Sequence, residues 1–180
     1  YTADGSIDFT EKVMKGAPVI KLVNNLMLSK NYNTIESNKG IIIESSTPFH
    51  IVFSIINFGN GQAVAAKGDY SLGKEFIVQT AINTVVNFNK EVHFASVMAT
   101  EDNTTINFDN NGDDLRSLNS STHQIVLDRG ETYMVLPDEN DNENFDGLLI
   151  TSDKDIVVNS GEMHPKMAHS VNTEGGATQL

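Results

Sequence analysis

The chain has no cysteine among its 180 residues, which removes disulfide frameworks, thiolate metal sites and cysteine nucleophiles at once. Basic residues are scarce as well. Twelve lysines and arginines face 24 aspartates and glutamates, giving a formal charge of −12, and they form no stripe on which phosphates could dock. Nucleic acid is therefore not an expected partner. No apolar stretch approaches the roughly 20 residues of a helical membrane span. A G-x-S-x-G elbow is missing, and neither Ser71 nor Ser160 has a base beside it in the sequence, so nothing points to a serine nucleophile. The chain begins at Tyr1, with neither a methionine nor a signal peptide, and reads as a mature or excised piece.

What is present is turn chemistry between short apolar runs. Asparagine occurs 20 times and clusters with Gly, Asp, Ser and Thr, the residues that tolerate or cap tight turns. A chain of this length makes one domain, or two small intimate ones, and can bury on the order of 70% of its unfolded surface. The acidic side chains are scattered through the turns, as on a solvated surface.

Two distant stretches read alike: G-I-I-I-E-S-S-T-P-F-H-I-V-F-S over 40–54 and G-L-L-I-T-S-D-K-D-I-V-V-N-S over 147–160. Each is a glycine, an aliphatic run, a polar break and a second apolar run, the grammar of a β-hairpin. A real duplication would give two related sheets packed together, with Ile43 and Ile150 in equivalent buried positions.

Further hairpins are expected over 92–108, turning at Asp102-Asn103, and over 124–136, turning at Asp128-Arg129-Gly130 with Gly130 at a positive φ. Other strands are expected at 41–43, 49–56, 75–79, 148–151 and 156–158. Helical spacing is confined to 9–14 and 19–30, where Pro18 and Asn24-Asn25 oppose it. Residues 57–72 and 137–147 read as surface loops, where function often resides. The expected class is all-β, an antiparallel sandwich-like module.

Oxygen-rich segments raise calcium. Residues 109–114 open like a calcium loop but place Asp114 and Ser120 where an EF-hand wants Gly and Glu. The denser candidate is D-E-N-D-N-E-N-F-D, where Asp138, Asp141, Glu143 and Asp146 could hold calcium in an irregular loop or simply form an acidic turn. Calcium is the one cofactor this allows, and it would show as a raised melting temperature. His164 and His169, with Glu162 nearby, have the wrong spacing for a zincin, and Pro165 breaks any helix there. His93 reads as a core residue of a strand. Asn103-Thr104-Thr105 and Asn119-Ser120-Ser121 match the glycosylation sequon.

Four phrases in order, K-G-D-Y-S-L-G-K-E-F (67–76), A-S-V-M-A-T-E-D-N-T-T-I-N-F (95–108), L-D-R-G-E-T-Y-M-V (127–135) and I-T-S-D-K-D-I-V-V (150–158), resemble the IgGFc-binding-protein N-terminal domain family. The version resembled is that of large secreted proteins of Bacteroidota. The likeness spans about 38–160. It departs at Asp155, where the family usually has Pro, and the chain stops near where a further family phrase would begin. The division expected is an N-terminal segment, 1–37, and a β domain, 38–180, truncated at its C-terminal end.

The resemblance implies an extracellular module of a bacterial cell-surface adhesin, exported by the type IX system and associated with gliding or attachment. Its partners would be a cell-surface glycan or protein, or neighbouring domains of the same large protein. IgG binding is not implied, because the family name derives from cysteine-rich, mucin-like relatives. No catalysis is expected. The competing expectations are a carbohydrate-active enzyme or glycan-binding domain, since fold alone does not decide function, and a structural subunit or cargo segment of a secretion or motility assembly.

Overall fold

The computed structural model describes residues 1–22, 31–57, 60–80, 92–138, 145–163 and 177–179. Over these the chain is antiparallel β throughout, as expected, with no α-helix and a single 3₁₀ turn, Gly68–Ser71. No helix among the described residues is long and apolar enough to cross a membrane. The strands are β1 (Val52–Asn57), β2 (Asn60–Ala65), β3 (Gly73–Gln79), β4 (Val92–Ala99), β5 (Thr104–Asp109), β6 (Thr122–Leu127), β7 (Thr132–Val135), β8 (Asp146–Met163) and β9 (Ala177–Gln179).

β8, 18 residues long, is the spine of the main sheet. Its first half lies between β5 and β3, with Ile150 opposite both Phe108 and Phe76. Its second half pairs with β4, Val158 opposite Val97, and with β9. β6 extends the sheet beyond β5, and β7 extends it beyond β4. Alternating side chains of both halves, among them Ile106, Phe108 and Ile150 of one and Val97, Val135 and Val158 of the other, meet in a single buried cluster. A strand that passes from one layer into the other in this way joins them into a sandwich-like core.

The two look-alike stretches are not hairpins. In the second, residues 152–155 are extended, not turned. The register against β3 slips there, Gly73 facing Ile156 while Glu75 faces Thr151, so the polar residues form a bulge within one strand. The physical reason is that neighbours use the polar groups a turn would have used. Asp153 Oδ1 accepts the Thr105 N–H at 2.8 Å, and the Lys74 ammonium donates to the Asp153 carbonyl at 2.9 Å. In the first stretch, residues 41–43 form no strand, and β1 pairs with β2 instead. Ile43 is 44% exposed and Ile150 fully buried, so the likeness is a coincidence of local grammar.

The expected hairpins over 92–108 and 124–136 also need correction. Their strands are in place, but β4 does not pair with β5, nor β6 with β7. Each connection is an arch between the two halves of the sheet, because β8 occupies the space between β4 and β5. Gly130 does take a positive φ, 80°. Within the expected loop 57–72 lies β2. Neither 9–14 nor 19–22 is helical, and 23–30 lies outside the described residues.

The outer edge of β7 is covered by the N-terminal region. Glu36 and Thr132 exchange backbone hydrogen bonds of 3.0 and 2.9 Å, and the Asn33 N–H donates to the Met134 carbonyl at 2.8 Å. This closes an edge that would otherwise offer unpaired backbone groups.

Candidate functional site

The two arches end side by side, and what holds them is a reciprocal pair of aspartates. Asp102, in the β4–β5 arch, accepts the Arg129 N–H at 3.0 Å, and Asp128, in the β6–β7 arch, accepts the Asn103 N–H at 2.9 Å. Asn103 adopts a left-handed backbone, φ 52°, which an asparagine tolerates better than most residues. The Glu131 carboxylate accepts the Asp128 N–H at 2.9 Å, and the Thr104 hydroxyl donates to the Glu101 carbonyl at 2.7 Å.

The β8 bulge joins the same end. Lys154 Nζ donates to the Asp102 carbonyl, and the Thr100 hydroxyl donates to that of Asp155 at 2.5 Å. All four phrases singled out in the sequence thus contribute to one loop end, the first through Lys74. Its outer side remains solvated, with Glu101, Asp102, Asn103, Asp128, Arg129 and Asp153 exposed.

Arg129 also reaches the N-terminal region. Its guanidinium meets Glu44 at 2.6 Å and lies 5.8 Å from the centre of the Tyr1 ring, while the Tyr1 hydroxyl donates to Glu44 at 3.2 Å. The hydrogen bond from Arg129 holds the Glu44 carboxyl below its ordinary range, and the same bond raises the Arg129 value. All of this is at the surface, so the ion pair is a local clamp of small energetic weight.

Inside the sandwich, His123 bonds to the Tyr133 hydroxyl at 2.9 Å and stacks against its ring, with Phe108 beside both. Burial lowers the His123 value and raises that of Tyr133, so both neutral forms are favoured. His93 is buried on the core face of β4, as expected. The Ser71 hydroxyl donates to the Gly68 carbonyl at 2.8 Å, and Ser160 is buried in β8.

The acidic residues considered for calcium are only partly placed. Asp141 and Glu143 lie outside the described residues, as do His164 and His169. The Asp138 N–H donates to the Asp114 carbonyl at 3.2 Å, and Asp146 opens β8 opposite Gln79. In the 109–114 loop the Asp109 carboxylate accepts the Asn111 N–H at 3.1 Å, an Asx turn. Among the described residues no three His, Asp or Glu side chains gather as a metal centre.

The Asp102–Asp128 exchange was not foreseen from the sequence. Its signal, an aspartate at each of two turn tips, is visible only once the arches are known to stack.

Comparison with known proteins gives one family match: the model described as IgGFc binding protein covers residues 62–177, more than half of the chain. No curated protein and no solved structure matches.

Proposed function

The chain belongs to the IgGFc binding protein family, and on that premise we infer that it is a non-catalytic binding module acting outside the cell, with the braced loop end as its ligand-contacting surface. The observation that carries this reading is how the polar groups of that end are used. Asp102, Asp128 and Asp153 each accept a backbone N–H from a neighbouring segment. The first two fix the arches to each other and the third ties the β8 bulge to β5, a structural use of carboxylates unlike the facing pair of a glycosidase. A rigid scaffold presenting exposed loops is how binding residues are commonly held. The sign-mixed rim, Glu101 and Asp128 beside Arg129, suits a polar protein surface.

In this reading the module serves adhesion or display on a bacterial surface. IgG itself is not the ligand assigned, since the name of the family describes other members. The test is binding of the chain to arrays of surface proteins and glycans, followed by an Arg129→Glu, Glu101→Lys variant. The expected result is retention of a protein ligand by the wild type and its loss in the variant, with folding unchanged. Release of a cleaved product would overturn the non-catalytic reading, and undiminished binding by the variant would overturn the loop end as the surface.

A further inference from the structure

Residues 8–22 form an arm that leaves the body of the protein. Every one of them is exposed, Ile20 at 85% and Leu22 at 89%, together with Phe9, Val13, Met14 and Val19. The arm has its own order. It turns back on itself at Lys15-Gly16, where Gly16 has a φ of 79° and the Ala17 N–H donates to the Met14 carbonyl at 3.0 Å. Across the two limbs Lys21 pairs with Glu11 at 3.0 Å and sits 4.4 Å from the centre of the Phe9 ring. A pre-shaped ribbon that exposes six large apolar side chains is the kind of surface that marks an interaction site.

Its charge separates it from the rest of the chain. Lys12, Lys15 and Lys21 against Asp8 and Glu11 make it net positive by one, in a chain of net charge −12. The body therefore carries −13, the difference of the two figures.

A complementary surface exists on that body, on the outer face of the sheet opposite the core. There a groove of about 410 Å³ runs over β5, β6 and β8, lined by Asn107, Asp109, Gln124, Leu149 and Thr151. Ile77, 62% exposed, stands beside Leu149 in register, and Glu75 stands beside Thr151. The groove and the adjoining β3 together present an apolar strip, Leu149 with its neighbour Ile77, and two carboxylates, Asp109 in the groove and Glu75 beside it.

We propose that the arm of one copy docks in the outer groove of a second copy, apolar residues on the Ile77–Leu149 strip and lysines toward Asp109 and Glu75. The arm is exposed in the chain that bears it, so it does not occupy its own groove. Arm and groove are different surfaces, so the contact is head-to-tail and each added copy presents a fresh groove or arm, giving rings or open chains. This stands apart from the loop end and does not depend on the ligand assigned there.

The test is sedimentation velocity of the 180-residue chain over a hundredfold range of concentration, at low and high salt. Wild type should show a mass that rises with concentration and falls with added salt, because exposed charge pairs are screened. An arm variant, Ile20→Asp with Leu22→Asp, and a groove variant, Glu75→Lys with Ile77→Lys, should each remain monomeric. All four positions are exposed, so circular dichroism should report unchanged folds. Mixed in equal amounts the two variants should form dimers and nothing larger, since one retains a groove and the other an arm. A wild type that stays monomeric throughout overturns the proposal and gives the arm to a different chain. A groove variant that associates like wild type also overturns it, in favour of arm-on-arm contact.

Discussion

The stretches 40–54 and 147–160 are written in nearly the same letters, and the protein uses them in opposite ways. The second is the central strand of the sheet, bonded on both sides, and all its apolar residues but Leu149 are buried. The first runs over the surface and contributes a strand only at its end, β1, in a separate two-stranded sheet. Both have the β-propensity of Ile and Val, so propensity is not what separates them. Neighbours are: residues 148–151 find β3 and β5 on either side, whereas residues 41–43 join no strand.

The sharpest way to break this comparison is at the two matched isoleucines. Ile150→Ala removes a fully buried side chain from between Phe76 and Phe108 and should cost about 2–5 kcal/mol. Ile43→Ala, at a partly exposed position, should stay within about 0.5 kcal/mol. Urea denaturation of both variants measures the contrast. Equal losses would mean that residues 41–43 are as deeply packed as the strand.

The opening glycines come next, and here the order of importance reverses. A Cβ on Gly40 would lie 2.5 Å from the Gly130 carbonyl oxygen and 2.6 Å from Met98 Sδ, so the exposed stretch is anchored at a close approach to the sheet. Gly40→Ala should cost about 1–3 kcal/mol, as overpacking does. Gly147 has open space around it but a φ of +88°. Gly147→Ala should cost about 1–2 kcal/mol, the strain of a left-handed backbone on an L residue. Thermal melts rank the two. If Gly147→Ala were neutral, the entry to β8 would have to relax to a negative φ.

How much of this was legible in the sequence depends on range. The strand interiors were, because Val97, Ile106, Phe108 and Val158 sit in apolar runs whose alternation follows directly from the pleat. Partners were not. Asp102-Asn103 and Asp128-Arg129-Gly130 have turn chemistry that serves a hairpin and an arch equally well. Only the position of β8 between β4 and β5 decides. The same limit hid the bulge at 152–155, whose polar residues signal a turn locally and are satisfied by distant groups. In the loop end, each phrase was visible and its contact with the others was not. For Asp138, Asp141, Glu143 and Asp146 the sequence supplies the donors, and two of the four, Asp141 and Glu143, lie outside the described residues.

A smaller effect is expected within the polar breaks. Asp153→Ala leaves the Thr105 N–H without its acceptor at the bulge and should cost about 1 kcal/mol, the usual net value of one hydrogen bond. Ser46→Ala, the corresponding position of the first stretch, should change nothing measurable, being an exposed surface residue. Hydrogen exchange at the Thr105 amide reads the bulge directly. Slow exchange there in Asp153→Ala would show that the carboxylate is dispensable.

The smallest effect lies at Glu44, where the first stretch is held to the loop end and where the second has Thr151. The bond from Arg129 lowers the Glu44 carboxyl below its ordinary value. Because the folded value is the lower one, the clamp contributes in full above the ordinary glutamate range and is lost as pH falls through the depressed folded value. Both groups are exposed, so the change in global stability should be slight and the clamp is best read locally. An NMR titration of the Glu44 carboxyl should give a value below that of an unpaired glutamate, moving back toward it in high salt. Arg129→Gln should restore the ordinary value and loosen residues 40–44 while leaving Ile150 and β8 as protected from hydrogen exchange as before. If β8 loosened as well, the surface stretch and the core strand would be energetically coupled, and the separation drawn between them would fail.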